Sequence, residues 1–112
     1  MNTLKQNRKQ FKKVIKKLVK AVNSLNSVSK DLYKTYKYNL PDFALDGLIS
    51  EKAVFLSNTQ RMRFFNKSSS FYYNKMLEDY STLKEISNYL IKLRILRQEH
   101  EVLIKIGEKN HD

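Results

Sequence analysis

The chain has 112 residues and contains no cysteine, no tryptophan, one proline and two glycines. Without cysteine there is neither a disulfide framework nor thiolate chemistry. Because proline and glycine mark turns, their scarcity favours helices joined by short connections. No apolar run approaches the ~20 residues of a membrane span, and lysines interrupt every stretch that could form the core of a signal peptide. We therefore expect one soluble, cytoplasmic, all-α domain over residues 1–112.

Acidic residues are nearly absent from the first third of the chain. Residues 1–40 hold eleven Lys/Arg and one acid, a net charge of +10, whereas residues 41–112 hold eleven Lys/Arg and ten acids and carry +1. A chain with a total charge of +11 attracts nucleic acid, anionic lipid or an acidic protein surface. The asymmetry predicts that the docking surface lies in the N-terminal third.

Apolar residues recur at intervals of three and four over residues 4–36, which predicts a first helix with one apolar stripe. Phe11, Ile15 and Leu18 lie on this stripe and are assigned to the core. An unbroken helix would be ~48 Å long, so we expect either a kink or a projecting end that packs in a homo-oligomer. Weak helix formers mark the kink; they are Asn23, Ser24, Asn26, Ser27 and Ser29.

A turn at residues 38–42 leads into the second predicted helix. Pro41 suits a helix start and disfavours helix at the residue before it. The helix is predicted to continue to about Asn66, and Gly47 within it indicates a close helix crossing. Its predicted core positions are Leu45, Leu48, Ile49, Phe55, Leu56 and Met62.

A serine-rich turn ending at residue 70 precedes the third predicted helix, which begins at Phe71 or Tyr72. A break near Arg97 and Gln98 would separate a short fourth helix, with Gly107 as its C-terminal cap. Without that break, one long helix closes the chain. The sequence therefore predicts an antiparallel three- or four-helix bundle with a long basic N-terminal helix.

Catalytic chemistry finds little support in the residues. The sequence has no Gly-rich phosphate loop and no pair of histidines at metal-binding spacing. Glu78, Asp79 and Glu85 fit the solvated side of an amphipathic helix better than a nuclease carboxylate set. We expect no enzymatic activity, no catalytic residue, no metal site and no cofactor.

Basic and aromatic patches offer binding chemistry instead. The lysines of the first helix lie opposite its apolar stripe, and residues 1–20 contain no acid to balance them, although a merely solvated face usually mixes signs. Two aromatic and basic patches further along the chain are weaker candidates, because aromatic residues also close the ends of a bundle. The predicted nucleic-acid contacts are Lys9, Lys12, Lys13, Lys16, Lys17 and Lys20, with Arg61, Arg63 and Lys67 as a second group and Tyr36 and Tyr38 as base stackers.

These observations predict a non-enzymatic protein that binds RNA or DNA through backbone and shape, since no motif for reading base edges is visible. The alternative is a small inhibitor or immunity factor of a phage or mobile element, which docks its basic helix on an acidic protein. A helix on a membrane surface is disfavoured, because one apolar stripe cannot be buried in the core and in lipid together.

The second half of the chain resembles a known group of small four-helix bundles. The likeness rests on leucine spacing over residues 77–109 and on the tail Ile106-Gly107-Glu108-Lys109. The group comprises proteins encoded in 23S rRNA intervening sequences and the accessory variability proteins of diversity-generating retroelements. The resemblance implies a basic, non-catalytic bundle that oligomerises in a ring and helps a reverse transcriptase to bind its RNA template.

Overall fold

The computed structural model of the protein describes residues 2–37, 39–49 and 71–111. Within these ranges the backbone is helical or forms turns, with no β-strand, so the predicted all-α class is confirmed. In chain order the elements are α1 (Leu4–Asn23), α2 (Ser27–Tyr36), a 3-10 turn (Leu40–Asp42), helical residues at 45–49 and 71–78, and the C-terminal helix (Tyr80–His111).

Side-chain capping fixes the start of α1. Thr3 Oγ1 accepts a hydrogen bond from the Gln6 backbone N–H at 3.2 Å, and Gln6 Oε1 accepts one from the Thr3 N–H at 2.9 Å, which together form a capping box. The first turn of α1 contains no acid. The partial positive charge of the helix N-terminus therefore adds to an already basic segment.

The chain turns back at the predicted kink. α1 ends at Asn23 and α2 begins at Ser27. The side chain of Asn26 caps α2 by accepting a hydrogen bond from the Ser29 N–H at 2.9 Å. The break lies where the weak helix formers predict it, but α2 folds back along α1 instead of continuing it.

Hydrogen bonds between distant residues give the direction of each helix. Asn7 in α1 donates to the Leu96 carbonyl at 2.9 Å, and Asn26 donates to the Lys75 carbonyl at 2.6 Å. α1 therefore runs antiparallel to the C-terminal helix. The 3-10 turn after α2 lies at Arg94, so α2 runs parallel to the C-terminal helix and antiparallel to α1.

An apolar cluster joins α1, α2, residues 45–49 and the C-terminal helix. Leu32 of α2 belongs to this core and has no exposed surface. Leu48 and Ile49 are buried as predicted, and Leu45 is half-buried. The predicted core positions Phe55, Leu56 and Met62, the predicted helix end at Asn66 and the serine-rich turn lie outside the described residues. The buried members of the cluster are Leu18, Leu25, Val28, Leu32, Leu40, Leu48, Ile49, Met76, Leu83, Ile86 and Leu90.

The C-terminal helix runs without interruption through Arg97 and Gln98, so of the two predicted alternatives the break is wrong and the single long helix is confirmed. Leu96 is buried and His100 is half-buried, and this packing holds the segment helical across the polar pair. Gly107 lies inside the helix and does not cap it, which also contradicts the prediction.

The helical path is interrupted earlier, at Asp79. Asn26 Nδ2 donates to the Lys75 carbonyl, and the Asn26 N–H donates to Asp79 Oδ2 at 2.8 Å. The Asp79 N–H bonds to the Met76 carbonyl, three residues back, at 3.2 Å. The corner between α1 and α2 thus inserts a side chain into the hydrogen-bond ladder of another helix, which explains the irregular turn.

α1 buries a narrower stripe than the sequence predicts. Val14 and Leu18 are buried and Phe11 is half-buried, whereas Ile15 and Val19 are 37% and 51% exposed. The core assignment of Leu18 is confirmed and that of Ile15 is wrong. The neighbouring helices leave a groove open along Ile15 and Val19, so the apolar stripe of α1 is wider than the surface that covers it.

Gly47 marks no close crossing with any of the described helices, although the sequence indicates one. A Cβ added there would meet no atom within 4 Å among the described residues, and its φ is not in the left-handed region. We predict that Gly47→Ala raises the free energy of unfolding by about 0.5–1 kcal/mol, because alanine loses less conformational entropy in a helix. Urea unfolding followed by circular dichroism measures the change. A less stable variant would contradict the open environment of Gly47.

Candidate nucleic-acid interface

Six predicted contact residues form one continuous surface on α1, which we call the lysine face. All of them are exposed, and they lie on the side of the helix opposite its buried residues. With a rise of 1.5 Å per residue, the face is ~16 Å long and presents about one charge per 3 Å. Its members are Lys9, Lys12, Lys13, Lys16, Lys17 and Lys20.

The positive charge of the lysine face is not compensated locally. Within the part of the chain that the structure describes, none of the six lysines forms an ion pair. The like charges lie one turn apart and repel one another by a few tenths of a kcal/mol per pair. A polyanion that binds this face would relieve the repulsion.

A buried asparagine fixes the orientation of the lysine face. Asn7 is 1% exposed and donates from Nδ2 to the Leu96 carbonyl at 2.9 Å and to Glu99 Oε1 at 3.0 Å. Asn2 adds a second donor to Glu99 Oε1 at 3.1 Å. These bonds hold the first half of α1 in one register on the C-terminal helix. Asn7 is not among the residues predicted from the sequence, although its position beside the apolar stripe of α1 indicates a side chain close to the core.

The same hydrogen bonds make stability depend on pH. Hydrogen bonds from the Asn7 amide and, with a smaller effect, from the Asn2 amide hold the pKa of the Glu99 carboxyl below its ordinary value of 4.5. Because the folded pKa is lowered, the stabilisation is present above pH 4.5 and is lost as the pH falls through the lowered value. We predict that Glu99→Gln flattens the loss of stability below about pH 5, measured by thermal unfolding. Glu101→Gln, at an exposed neighbour, should leave the wild-type profile unchanged; an equal effect of both variants would contradict the role of Asn7.

A surface ion pair ties the 3-10 turn to the C-terminal helix. Arg94 donates to both carboxylate oxygens of Asp42 at 3.0 Å, in a bidentate arrangement. The hydrogen bond from Arg94 lowers the pKa of the Asp42 carboxyl. Both side chains are well exposed, so the pair orients the turn more than it stabilises the fold.

A small pocket lies where α1 meets the C-terminal helix, next to the lysine face. It has a volume of about 260 Å³. Phe11 is half-buried and lines it together with His100. Three exposed cations and the buried Asn7 complete the lining, with Arg8 and Lys12 one turn apart on α1 and Arg97 on the facing helix. Arg97 and His100 are about ninety positions from Phe11 in the sequence, so periodicity alone could not bring them together.

A wider groove continues from this pocket along α1. Its volume is about 680 Å³, and Phe11 and Arg97 line both cavities. Aliphatic and aromatic side chains line most of the groove, with cations from α2 and the C-terminal helix beside them. The lining residues are Phe11, Ile15, Leu18, Val19, Tyr33, Lys37, Asn39, Leu90, Leu93, Arg94 and Arg97.

The other predicted contacts are not brought to the lysine face by the described structure. Arg61, Arg63, Lys67 and Tyr38 lie outside the described residues. Tyr36 is half-buried against the core at the end of α2, and its ring meets that of Phe43 edge to face, with centroids 5.6 Å apart. Its role as a base stacker stays a prediction.

The described residues form neither a metal-binding cluster nor a membrane-spanning helix. Over residues 2–37, 39–49 and 71–111, no three His, Cys, Asp or Glu side chains are grouped so that they could hold a metal ion. No helix in the described part of the chain combines the length and apolar character needed to cross a bilayer.

Comparisons of the chain with protein-family models, curated proteins and solved structures find no match.

Proposed function

We propose that the protein is a non-enzymatic nucleic-acid-binding protein whose lysine face contacts the phosphate backbone. Six exposed lysines lie on one side of a capped helix, and none of them forms an ion pair with a described residue. This observation is the main support for the proposal. A flexible lysine tail would lose conformational entropy on binding, whereas a helix held by Asn7 presents its charges in a fixed array.

The spacing of the charges suits a nucleic acid. Each strand of duplex DNA carries a phosphate about every 3.4 Å along the axis, and the lysine face carries about one charge per 3 Å. Lysine acts toward phosphate as a point charge on a flexible stem. The face can therefore follow a backbone without strict geometry, which favours binding guided by charge and shape rather than sequence.

The resemblance to the intervening-sequence and accessory variability proteins suggests a biological role for this binding. A basic, non-catalytic protein of this kind would serve as an accessory factor that presents an RNA template to a reverse transcriptase. Ring-shaped homo-oligomers are part of the same proposal. Light scattering of the purified protein tests the oligomer independently of nucleic acid.

Binding titrations at several salt concentrations test the proposed function. RNA, duplex DNA and anionic vesicles are the three probes, and polylysine of equal net charge is the reference. If about four lysines contact duplex phosphates, log K should fall with log salt with a slope of about −4. An affinity for RNA and DNA no greater than that of the polycation, or preferential binding to vesicles, would contradict the proposal.

An acidic protein is the second candidate partner, and the wide groove favours it. Ile15 and Val19 are exposed at the edge of the groove, with Lys37 and Arg97 among its lining. An amphipathic helix with acidic flanks would suit such a surface. Replacing Ile15 and Val19 with Ser should weaken docking of such a helix and leave nucleic-acid affinity unchanged, which separates the two functions.

A further inference from the structure

The pocket at Phe11 has a composition that neither the bundle core nor a solvated surface requires. Its lining combines the half-buried ring of Phe11 and the buried amide of Asn7 with the cations Arg8, Lys12 and Arg97. Among the described residues no carboxylate lines it. The three cations repel one another across one apolar opening. A ligand that combines negative charge with a flat apolar part would offset this repulsion and fill the opening.

The size of the pocket limits the ligand. Its volume of about 260 Å³ lies just below the ~300–1,000 Å³ range of sites for drug-sized molecules. A single ring system fits this space, whereas a peptide helix needs a long groove. The phosphates attached to such a ring would remain outside, where the cations are exposed.

The position of the pocket relates it to the lysine face. Lys12 belongs to both, and Arg8 precedes it by one turn of α1. A strand whose phosphates follow the lysine face would therefore pass the mouth of the pocket. In single-strand binding proteins, aromatic rings beside a basic track stack the bases while the cations hold the backbone.

We propose that the Phe11 pocket receives an unpaired base of single-stranded nucleic acid bound along the lysine face. Phe11 supplies the ring that stacks on the base, and the planar groups of Arg97 and His100 can contact it from the facing helix. Arg8 and Lys12 bind the flanking phosphates. Because every base has an aromatic face, the pocket selects unpaired over paired bases rather than one base over another.

This inference rests on the proposed function, and its test keeps the two apart. Affinities are measured for an oligothymidine strand and for an otherwise identical strand whose sites are abasic. The abasic strand keeps every phosphate, so its affinity measures binding by the lysine face alone. We expect the wild-type protein to bind the strand with bases about 5- to 150-fold more tightly, the range for stacking of one base on an aromatic side chain.

Phe11→Leu should remove most of this preference while leaving the affinity for the abasic strand unchanged. Phe71→Leu is the control, because Phe71 is an exposed aromatic that has a lysine near its ring but does not line the pocket. This variant should retain the preference. The comparison of the two strands with the wild-type protein remains a valid test even if Phe11→Leu unfolds.

Equal binding of the two strands by the wild-type protein would overturn the proposed base-binding role of the pocket, but not phosphate binding by the lysine face. Equal weakening of both strands by Phe11→Leu in a folded protein would also overturn it. Binding of neither strand would overturn the pocket, and it would overturn the proposed function as well if RNA and duplex DNA also failed to bind in the salt titrations.

Discussion

Replacement of Lys12, Lys13, Lys16 and Lys17 by Glu is expected to abolish nucleic-acid binding at physiological salt. Each lysine that contacts a phosphate contributes about one unit to the salt slope, so a loss of four contacts removes a slope of about −4. The variant also places four negative charges in the path of the backbone. Electrophoretic mobility shift or fluorescence anisotropy with labelled RNA measures the loss.

The fold should survive this charge reversal. The four side chains are exposed, and a carboxylate at position 16 would pair with Lys20 one turn later. We therefore expect an unchanged helical circular dichroism spectrum and a thermal midpoint at least equal to that of the wild type. Loss of helix would mean that the lysines serve the fold.

A second set of reversals separates the face from net charge. Lys34, Lys84, Lys92 and Lys105 are exposed on other helices, and their replacement by Glu changes the net charge by the same amount, from +11 to +3. This control should weaken binding only modestly, through the reduced long-range field. An equal loss in both variants would show that total charge, rather than the lysine face, determines affinity.

Truncation of the core at Leu32 is expected to have the largest effect on stability. Leu32 has no exposed surface and lies in the cluster where α2 meets the other helices. Leu32→Ala should lower the free energy of unfolding by about 2–5 kcal/mol, from lost burial and the cavity left behind. That is a large part of the ~5–15 kcal/mol that holds a domain folded. The thermal midpoint should fall by roughly 8–20 °C.

Ile95→Ala is the control for this truncation. Ile95 is 57% exposed, and alanine is the better helix former, so the change should stay within about 0.5 kcal/mol. If the two variants unfolded at the same temperature, α2 would not pack into the core as described.

Local signals in the sequence predict the helices and one break but not how the helices are arranged. Weak helix formers around Asn26 give the place where α1 ends. The reversal of direction depends on hydrogen bonds from Asn26 to Lys75 and Asp79, about fifty positions away, which no local pattern reveals. The helix also continues through Arg97 and Gln98, because both are good helix formers and the neighbouring Leu96 is buried.

The sequence likewise predicts one part of the candidate site and misses another. A helical wheel predicts all six residues of the lysine face, because exposure opposite an apolar stripe is a property of one helix. The wheel also assigns Ile15 to the core, where the structure leaves it exposed, since the width of a stripe does not tell how much of it a neighbour covers. The Phe11 pocket combines side chains from both ends of the chain, so only the fold could bring it together.

Lysine acetylation with and without saturating single-stranded RNA, read by mass spectrometry, tests whether the lysine face is the surface that binds nucleic acid. We expect protection at the lysine face and unchanged reactivity at Lys84, Lys92 and Lys105 on the C-terminal helix. Protection spread evenly over all these lysines, or confined to the C-terminal helix, would contradict it.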